Sequence, residues 1–283
     1  MNVILEDERK KNVKLKIFYI GIIVICVIAF IATVTFQILG DKEGVNTEKI
    51  PELSENQKNK HKDEFYKIFK NKVNYLENNS YKIAKLEQDK EIIYTGYQNT
   101  DNKINSYDLK VNIPYININN PIIEEFNNQI KDIFEKKAKS IINSQNKNAI
   151  YTVDYSAYIS NNILSLVVRS TLKEGTNPQR DIIQTYNYDL TNQTKYTIDN
   201  MLEAKGISKK EANQKIKEVI KGEQEKQQEL EKLGYSTFTR DYTSDMYNIN
   251  NVTEYFMGEE GALYIIYAYG NENNTNEMDI VII

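Results

Sequence analysis

Residues Ile163–Leu202 read ILSLVVRSTLKEGTNPQRDIIQTYNYDLTNQTKYTIDNML. Leu164 to Val168 is a nearly continuous apolar run, as expected of a central strand buried on both faces. The loop EGTNPQR follows, and the next strand returns with Tyr186, Tyr188 and Leu190 on one face. TNQT then turns the chain into KYTI, and Asp199 reads as a cap where a helix begins. The stretch therefore predicts strand, hairpin, strand, turn, strand, helix.

Reading outward extends the pattern. In AIYTVDYSAYIS, Tyr151, Val153, Tyr155, Ala157 and Ile159 share a face. Asn161-Asn162 suits the positive φ angles of a tight hairpin into the opening strand. Downstream, Ser208 and Glu211 have capping-box spacing for a helix over 208–233 whose apolar stripe is Ala212, Ile216, Val219 and Ile220. GALYIIYAYG and EMDIVII read as the last two strands. The predicted fold class is α+β, an antiparallel meander sheet packed with helices and carried on a single N-terminal transmembrane helix.

Further upstream, 81–148 reads as a strand–helix subdomain preceding the sheet domain 149–283. Leu109, Val111 and Ile113 alternate with polar residues. Asn120 suits an N-cap and Pro121 the first helical position of a helix with the stripe Ile122, Ile123, Phe126, Ile130, Ile133, Phe134, Ile141 and Ile142. Residues 40–80 read as a linker, with Asp41–Lys62 solvated. Phe65, Ile68, Phe69, Val73 and Leu76 mark a short amphipathic helix there.

Ile17–Leu39 carries no charge and is long enough to cross a hydrocarbon core of roughly 30 Å. Arg9, Lys10, Lys11, Lys14 and Lys16 precede it, in the tail 1–16. Basic residues stay on the cytoplasmic side, so the expectation is a single-pass cell-membrane protein, N-terminus inside and the C-terminal domain outside. The bilayer is the first expected partner. The low Pro and Trp content, with abundant Asn, Lys and Ile, suits an AT-rich Gram-positive source.

Composition excludes much chemistry. Cys26 lies inside the span, so the outer part can form neither a disulfide nor a thiolate metal site. His61, the sole histidine, reads as a solvated linker residue, which removes imidazole metal sites and a Ser-His-Asp triad. No dinucleotide, Walker or H-E-x-x-H motif occurs. Asp189, Asp199, Glu259 and Glu260 are available for glycosidase chemistry, but acids at turns and helix starts are more often caps. Hence no catalytic residue, metal or cofactor is assigned, and no nucleic acid is expected. The net charge is −4, and Glu254, Glu259, Glu260, Glu272, Glu277 and Asp279 fall in a C-terminal segment without Lys or Arg. That segment reads as an acidic edge able to steer a basic partner. The 21 tyrosines suit half-buried strands or, alternatively, stacking on sugars.

Several of these residues carry a resemblance. Gly175 and Pro178 in the loop, Asn187-Tyr188-Asp189-Leu190 in the strand and Thr197–Leu202 at the helix entry resemble an exported bacterial domain of unknown function. Asn192-Gln193 stands where that family often has glycine. Glu260–Tyr264 resembles its last motif, and YDLKVNIPYININNPIIEEFNNQI its usual partner domain. Such pairs occur in lysozyme-sensing anti-sigma factor ectodomains of the sigma-V type and beside polysaccharide deacetylase domains. The resemblance implies a non-enzymatic binding or sensing module of the cell envelope, with lysozyme or peptidoglycan as ligand. The alternatives are a wall-polysaccharide enzyme and a structural part of an envelope complex. Loop position and charge nominate Glu174, Gly175, Asn177, Pro178, Glu272 and Glu277 for ligand binding.

Overall fold

The computed structural model describes residues 52–143 and 148–283, all within Lys49–Ile283, one of two units into which the chain divides. The expected tail, the span Ile17–Leu39 and the start of the 40–80 stretch lie outside the described residues. No helix among the described residues is long and apolar enough to cross a membrane.

The apolar run Leu164–Val168 lies in β5 (Ile163–Glu174), where Leu164, Leu166 and Val168 face one core and Val167 another. β4 (Ala149–Ser160) precedes it through Asn161-Asn162, whose φ angles of 51° and 62° make the expected tight hairpin. β6 (Arg180–Asp189) and the short β7 (Thr194–Lys195) continue the meander.

The sheet is nonetheless mixed, which corrects the antiparallel expectation. β2 (Ile93–Lys103) and β3 (Tyr107–Ile116) form a hairpin whose second strand joins β4 in parallel, from Tyr107 beside Ala149 to Val111 beside Val153. Where β3 leaves β4, the four-residue β1 (Lys72–Tyr75) takes over the same edge, also parallel, over Ser156–Ile159. Asp154 sits at this fork and accepts from Asn71 and Asn112 side chains at 2.7 and 3.1 Å. Parallel neighbours need a crossover connection. Here it is the helical segment α2 (Pro121–Ile130), a π-helical stretch (Lys131–Glu135) and α3 (Lys136–Asn143). Asn120 caps it by accepting from the Ile122 amide, with Pro121 in the first turn, as the sequence suggests. Strands from both 81–148 and 149–283 therefore share one seven-stranded sheet.

The last strands leave that sheet. β8 (Glu254–Met257), β9 (Leu263–Ala268) and β10 (Met278–Ile282) form a separate antiparallel sheet in the order β10-β9-β8. Strict alternation gives it two buried faces. Leu263, Ile265, Tyr267 and Val281 meet α4 (Ile198–Lys205) and α5 (Lys209–Lys232), while Tyr264, Ile266, Ile280 and Ile282 meet the back of the large sheet. The layers thus run helix, sheet, sheet, helix. The capping box predicted for α5 is present at Ser208 and Glu211. At α4 the cap is Thr197 with Asn200, while Asp199 lies in the first turn and pairs with Lys209 at 2.8 Å.

Two expectations about 40–80 fail. The polar segment forms α1 (Glu55–Asp63), started by a reciprocal Ser54–Gln57 capping box. The apolar segment after it is a 3₁₀ turn (Phe65–Lys67) followed by β1, not an amphipathic helix. Phe65, Ile68, Phe69 and Leu76 wedge into the core between the sheets, so tertiary burial overrides their helical spacing. His61 is correspondingly not solvated. Its side chain is 13% exposed, with Nδ1 3.0 Å from the Tyr264 hydroxyl and Nε2 3.4 Å from Glu260.

The motif residues of Ile163–Leu202 fasten the two sheets together. Ser165 Oγ donates to Asn187 Oδ1 at 2.8 Å and accepts from the Met257 amide at 3.1 Å. Asn187 Nδ2 donates to the Tyr255 carbonyl at 2.7 Å. Thr185 donates its amide and hydroxyl to Glu254 Oε2, at 2.7 and 3.1 Å, and its hydroxyl accepts from the Tyr255 amide. Burial pushes the Glu254 carboxyl up to about 7. Asp189 instead holds its own turn, accepting from the Thr191 and Asn192 amides at 2.8 and 2.9 Å.

Candidate functional site: a cleft at the end of the β5–β6 hairpin

Gly175 opens the hairpin turn with a φ of 56°, a conformation that suits glycine. Its amide donates to the Asn148 carbonyl, and the Asn177 amide donates to the Glu174 carbonyl at 3.1 Å. Lys173 Nζ donates to the Asn177 carbonyl across the same turn. The turn is thus a formed structure, and it carries Glu174, Asn177 and Pro178 to the rim of a cleft of about 410 Å³. That volume falls within the usual range of small-ligand sites.

The opposite wall is the π-helical stretch. Widening a helical turn leaves a carbonyl free for an outside partner, and Tyr151 Oη reaches the Phe134 carbonyl at 3.4 Å. The stretch also places Asp132 and Ile133, with Lys136 and Lys137 after them, along the cleft. Tyr151, Leu172 and Ile182 make an apolar base, and Arg180 and Asn274 complete the lining. Lys137 spans the walls to Glu174 at 2.8 Å, and Lys136 pairs with Asp132 at 2.6 Å. Three cations and two anions therefore converge on an apolar base.

The two loops nominated from sequence meet here. Arg180 donates through Nε to the Gly270 carbonyl and through Nη2 to the Asn271 carbonyl, the latter at 2.6 Å. The Asp181 amide donates to the Thr275 carbonyl at 3.1 Å, and the Asn271 side chain brackets the Ile183 backbone at 3.0 and 2.9 Å. A Cβ at Gly270 would stand 1.9 Å from the Asp181 carbonyl oxygen, so only glycine permits this approach.

Of the six nominated residues, Glu174, Asn177 and Pro178 line the cleft and Gly175 shapes its rim. Glu272 and Glu277 do not line it. Glu272 is exposed, and Asn274 of the same loop reaches the cleft instead. Glu277 accepts from Arg240 Nη2 at 3.0 Å, beside the buried pair of Arg240 with Asp279 at 2.8 Å. With Glu254 also internal, three of the six acids in the C-terminal segment serve the fold, while Glu259, Glu260 and Glu272 stay exposed. Many tyrosines are core residues: Tyr151, Tyr155, Tyr158, Tyr186, Tyr188, Tyr247, Tyr264, Tyr267 and Tyr269 are buried, whereas Tyr66, Tyr75 and Tyr235 are exposed. The helix residues of the cleft carry no signal of it, because Lys136 and Lys137 are cations late in an amphipathic helix, a placement the helix dipole alone favours. A π-helical stretch has no pattern that distinguishes it from α-helix in sequence.

No family model matches the chain, and no curated protein matches it. Among solved structures it is similar to a DUF3298 family protein from Pseudomonas aeruginosa PAO1, at 12% identity and a TM-score of 0.39, over 73% of this chain and 91% of that one. It is also similar to a member of the DUF3298 family from Bacteroides fragilis NCTC 9343, at 10% identity and a TM-score of 0.31, over 62% of this chain and 81% of that one. The structural neighbours are thus bacterial DUF3298 proteins, and at these scores no residue role transfers from them.

Proposed function

We propose that this chain is a non-enzymatic binding module of a bacterial cell envelope, anchored through Ile17–Leu39, that takes a peptidoglycan fragment in the β5–β6 cleft. The observation that supports this reading is the lining itself, with Lys136, Lys137 and Arg180 against Asp132 and Glu174 over an apolar base. Wall fragments present carboxylates, amines, amides and sugar rings together, and a mixed-charge cleft on an apolar base offers a counterpart to each. A glycosidase would turn two acids toward one scissile bond. Here each acid addresses a neighbouring lysine. A sensing role like that of the lysozyme-responsive ectodomains fits the same reading, and the pairing of Glu277 and Asp279 with Arg240 leaves a basic protein fewer free acids to meet.

The test is a calorimetric titration of the purified full chain with soluble muropeptides and, separately, with lysozyme. Muropeptide binding should weaken about tenfold or more in Lys137→Met, which removes the cation spanning the cleft. Binding that ignores Lys137→Met, or lysozyme binding without muropeptide binding, would overturn the assignment. Hydrolysis of the fragment during the titration would restore the enzymatic alternative.

A further inference from the structure

A second site stands away from the cleft, where Glu52 joins lysines of two elements and acts electrostatically on a third from another element. Lys58 belongs to α1, Lys205 ends α4 and Lys215 lies in α5. Lys58 and Lys205 are only 9% and 7% exposed, unusual for lysine. Glu52 Oε1 bridges two of the three, 2.9 Å from Lys215 Nζ and 3.9 Å from Lys58 Nζ. Lys58 also meets Glu55 at 2.7 Å. The Glu52 side chain is 69% exposed, so this acid reaches in from solvent onto ammonium groups that the fold holds in place.

Lys205 differs from the other two. Its Nζ donates to the Gly261 carbonyl at 2.7 Å, and among the described residues it forms no ion pair with a carboxylate. Burial, with Lys215 and Lys58 acting in the same direction and Glu52 against them, holds its amine down to about 8. A buried ammonium without a directly paired anion is expensive, and packing alone would favour an apolar side chain at that position. Glu52 and Glu55 pair two of the three ammonium groups and leave Lys205 to the Gly261 carbonyl.

We propose that Lys58, Lys205 and Lys215 form a binding site for a phosphate group, filled in this structure by the Glu52 carboxylate of the same chain. A tetrahedral phosphate offers an oxygen to each ammonium, whereas the planar carboxylate engages two, and lysine serves phosphate as a point charge with rotatable donors. Inorganic phosphate and an esterified phosphate such as a lipid headgroup share this chemistry.

The experiment titrates the full chain with inorganic phosphate and, in a second arm, with glycerol 3-phosphate. Removing the internal competitor in Glu52→Ala should tighten phosphate binding about 5-fold. Adding Lys215→Met in that background should weaken it about tenfold. Lys215 is partly exposed, so this variant remains informative if Lys205→Met fails to fold. Tighter binding of glycerol 3-phosphate than of phosphate supports the site with an esterified ligand, and the reverse order supports it with the free anion. Glu52→Ala binding neither ligand more tightly than the unaltered chain would overturn the proposal.

Discussion

The two faces of the large sheet are held by different physics. On one face Ile123, Ile130, Phe134 and Ala138 of the crossover helix press on Val111, Tyr151, Val153 and Leu166, all within one apolar core. On the other, the aromatic stack Tyr158–Phe256–Tyr264 has ring centroids 5.8 and 4.3 Å apart. Polar fasteners stand beside it: Ser165 with Asn187, and Thr185 with Glu254. An apolar face tolerates small slides because dispersion has no direction. The polar fasteners fix which residue of β8 meets which residue of β6, because a buried donor or acceptor displaced from its partner loses the bond outright.

The sharpest break should come on the dry face. Phe134 is fully buried, and Phe134→Ala should cost about 3–5 kcal/mol through lost burial and the cavity left behind. Chemical denaturation measures it, and a loss below about 1 kcal/mol would mean that the helix is not close-packed on the sheet.

The second break uses pH and concerns only the fastened face. The Glu254 carboxyl is raised from its usual 4.5 to about 7 by burial. The folded chain therefore holds this proton more tightly than the unfolded chain. The stability this provides is complete below pH 4.5 and is lost as pH rises through about 7. The loss should total about 3 kcal/mol by the usual conversion of such a shift. Glu254→Gln should flatten the stability profile between these limits, and an unchanged slope in that variant would assign the pH dependence elsewhere.

The smallest expected effect tests whether the fasteners act as a unit. Asn187→Ala should cost about 1–3 kcal/mol by orphaning the Tyr255 carbonyl. A double-mutant cycle with Ser165→Ala should then show coupling of about 0.5 kcal/mol or more, since the two side chains share a bond. Simple additivity would reduce the fasteners to independent contacts.

The same contrast explains what was legible in the chain. The hairpin at Asn161-Asn162, the Asn120–Pro121 helix start and the Ser208–Glu211 capping box are local events, each written within a few residues. They appear in the structure where the sequence places them. The alternation of β4 and the run in β5 likewise fix which residues enter the core, because side-chain direction along a strand has a period of two. One rim of the cleft was legible too: Glu174, Asn177 and Pro178 stand out as a long loop among tight turns.

The rest depends on partners distant in sequence. Nothing near Phe65 distinguishes a helix face from a wedge between sheets, and nothing near His61 announces Tyr264, 203 residues away. Glu277 reads as a free loop acid until Arg240 is placed beside it. The parallel neighbours of β4, the separation of β8–β10 into a second sheet, and the meeting of the π-helical stretch with the β5–β6 hairpin are all long-range choices. Local sequence determined the elements and their buried faces, because hydrogen-bonding period and capping chemistry act over a turn or a pleat. Tertiary structure decided which elements distant in the chain became neighbours, because pairing and polar satisfaction between them are settled only when the whole core brings them together.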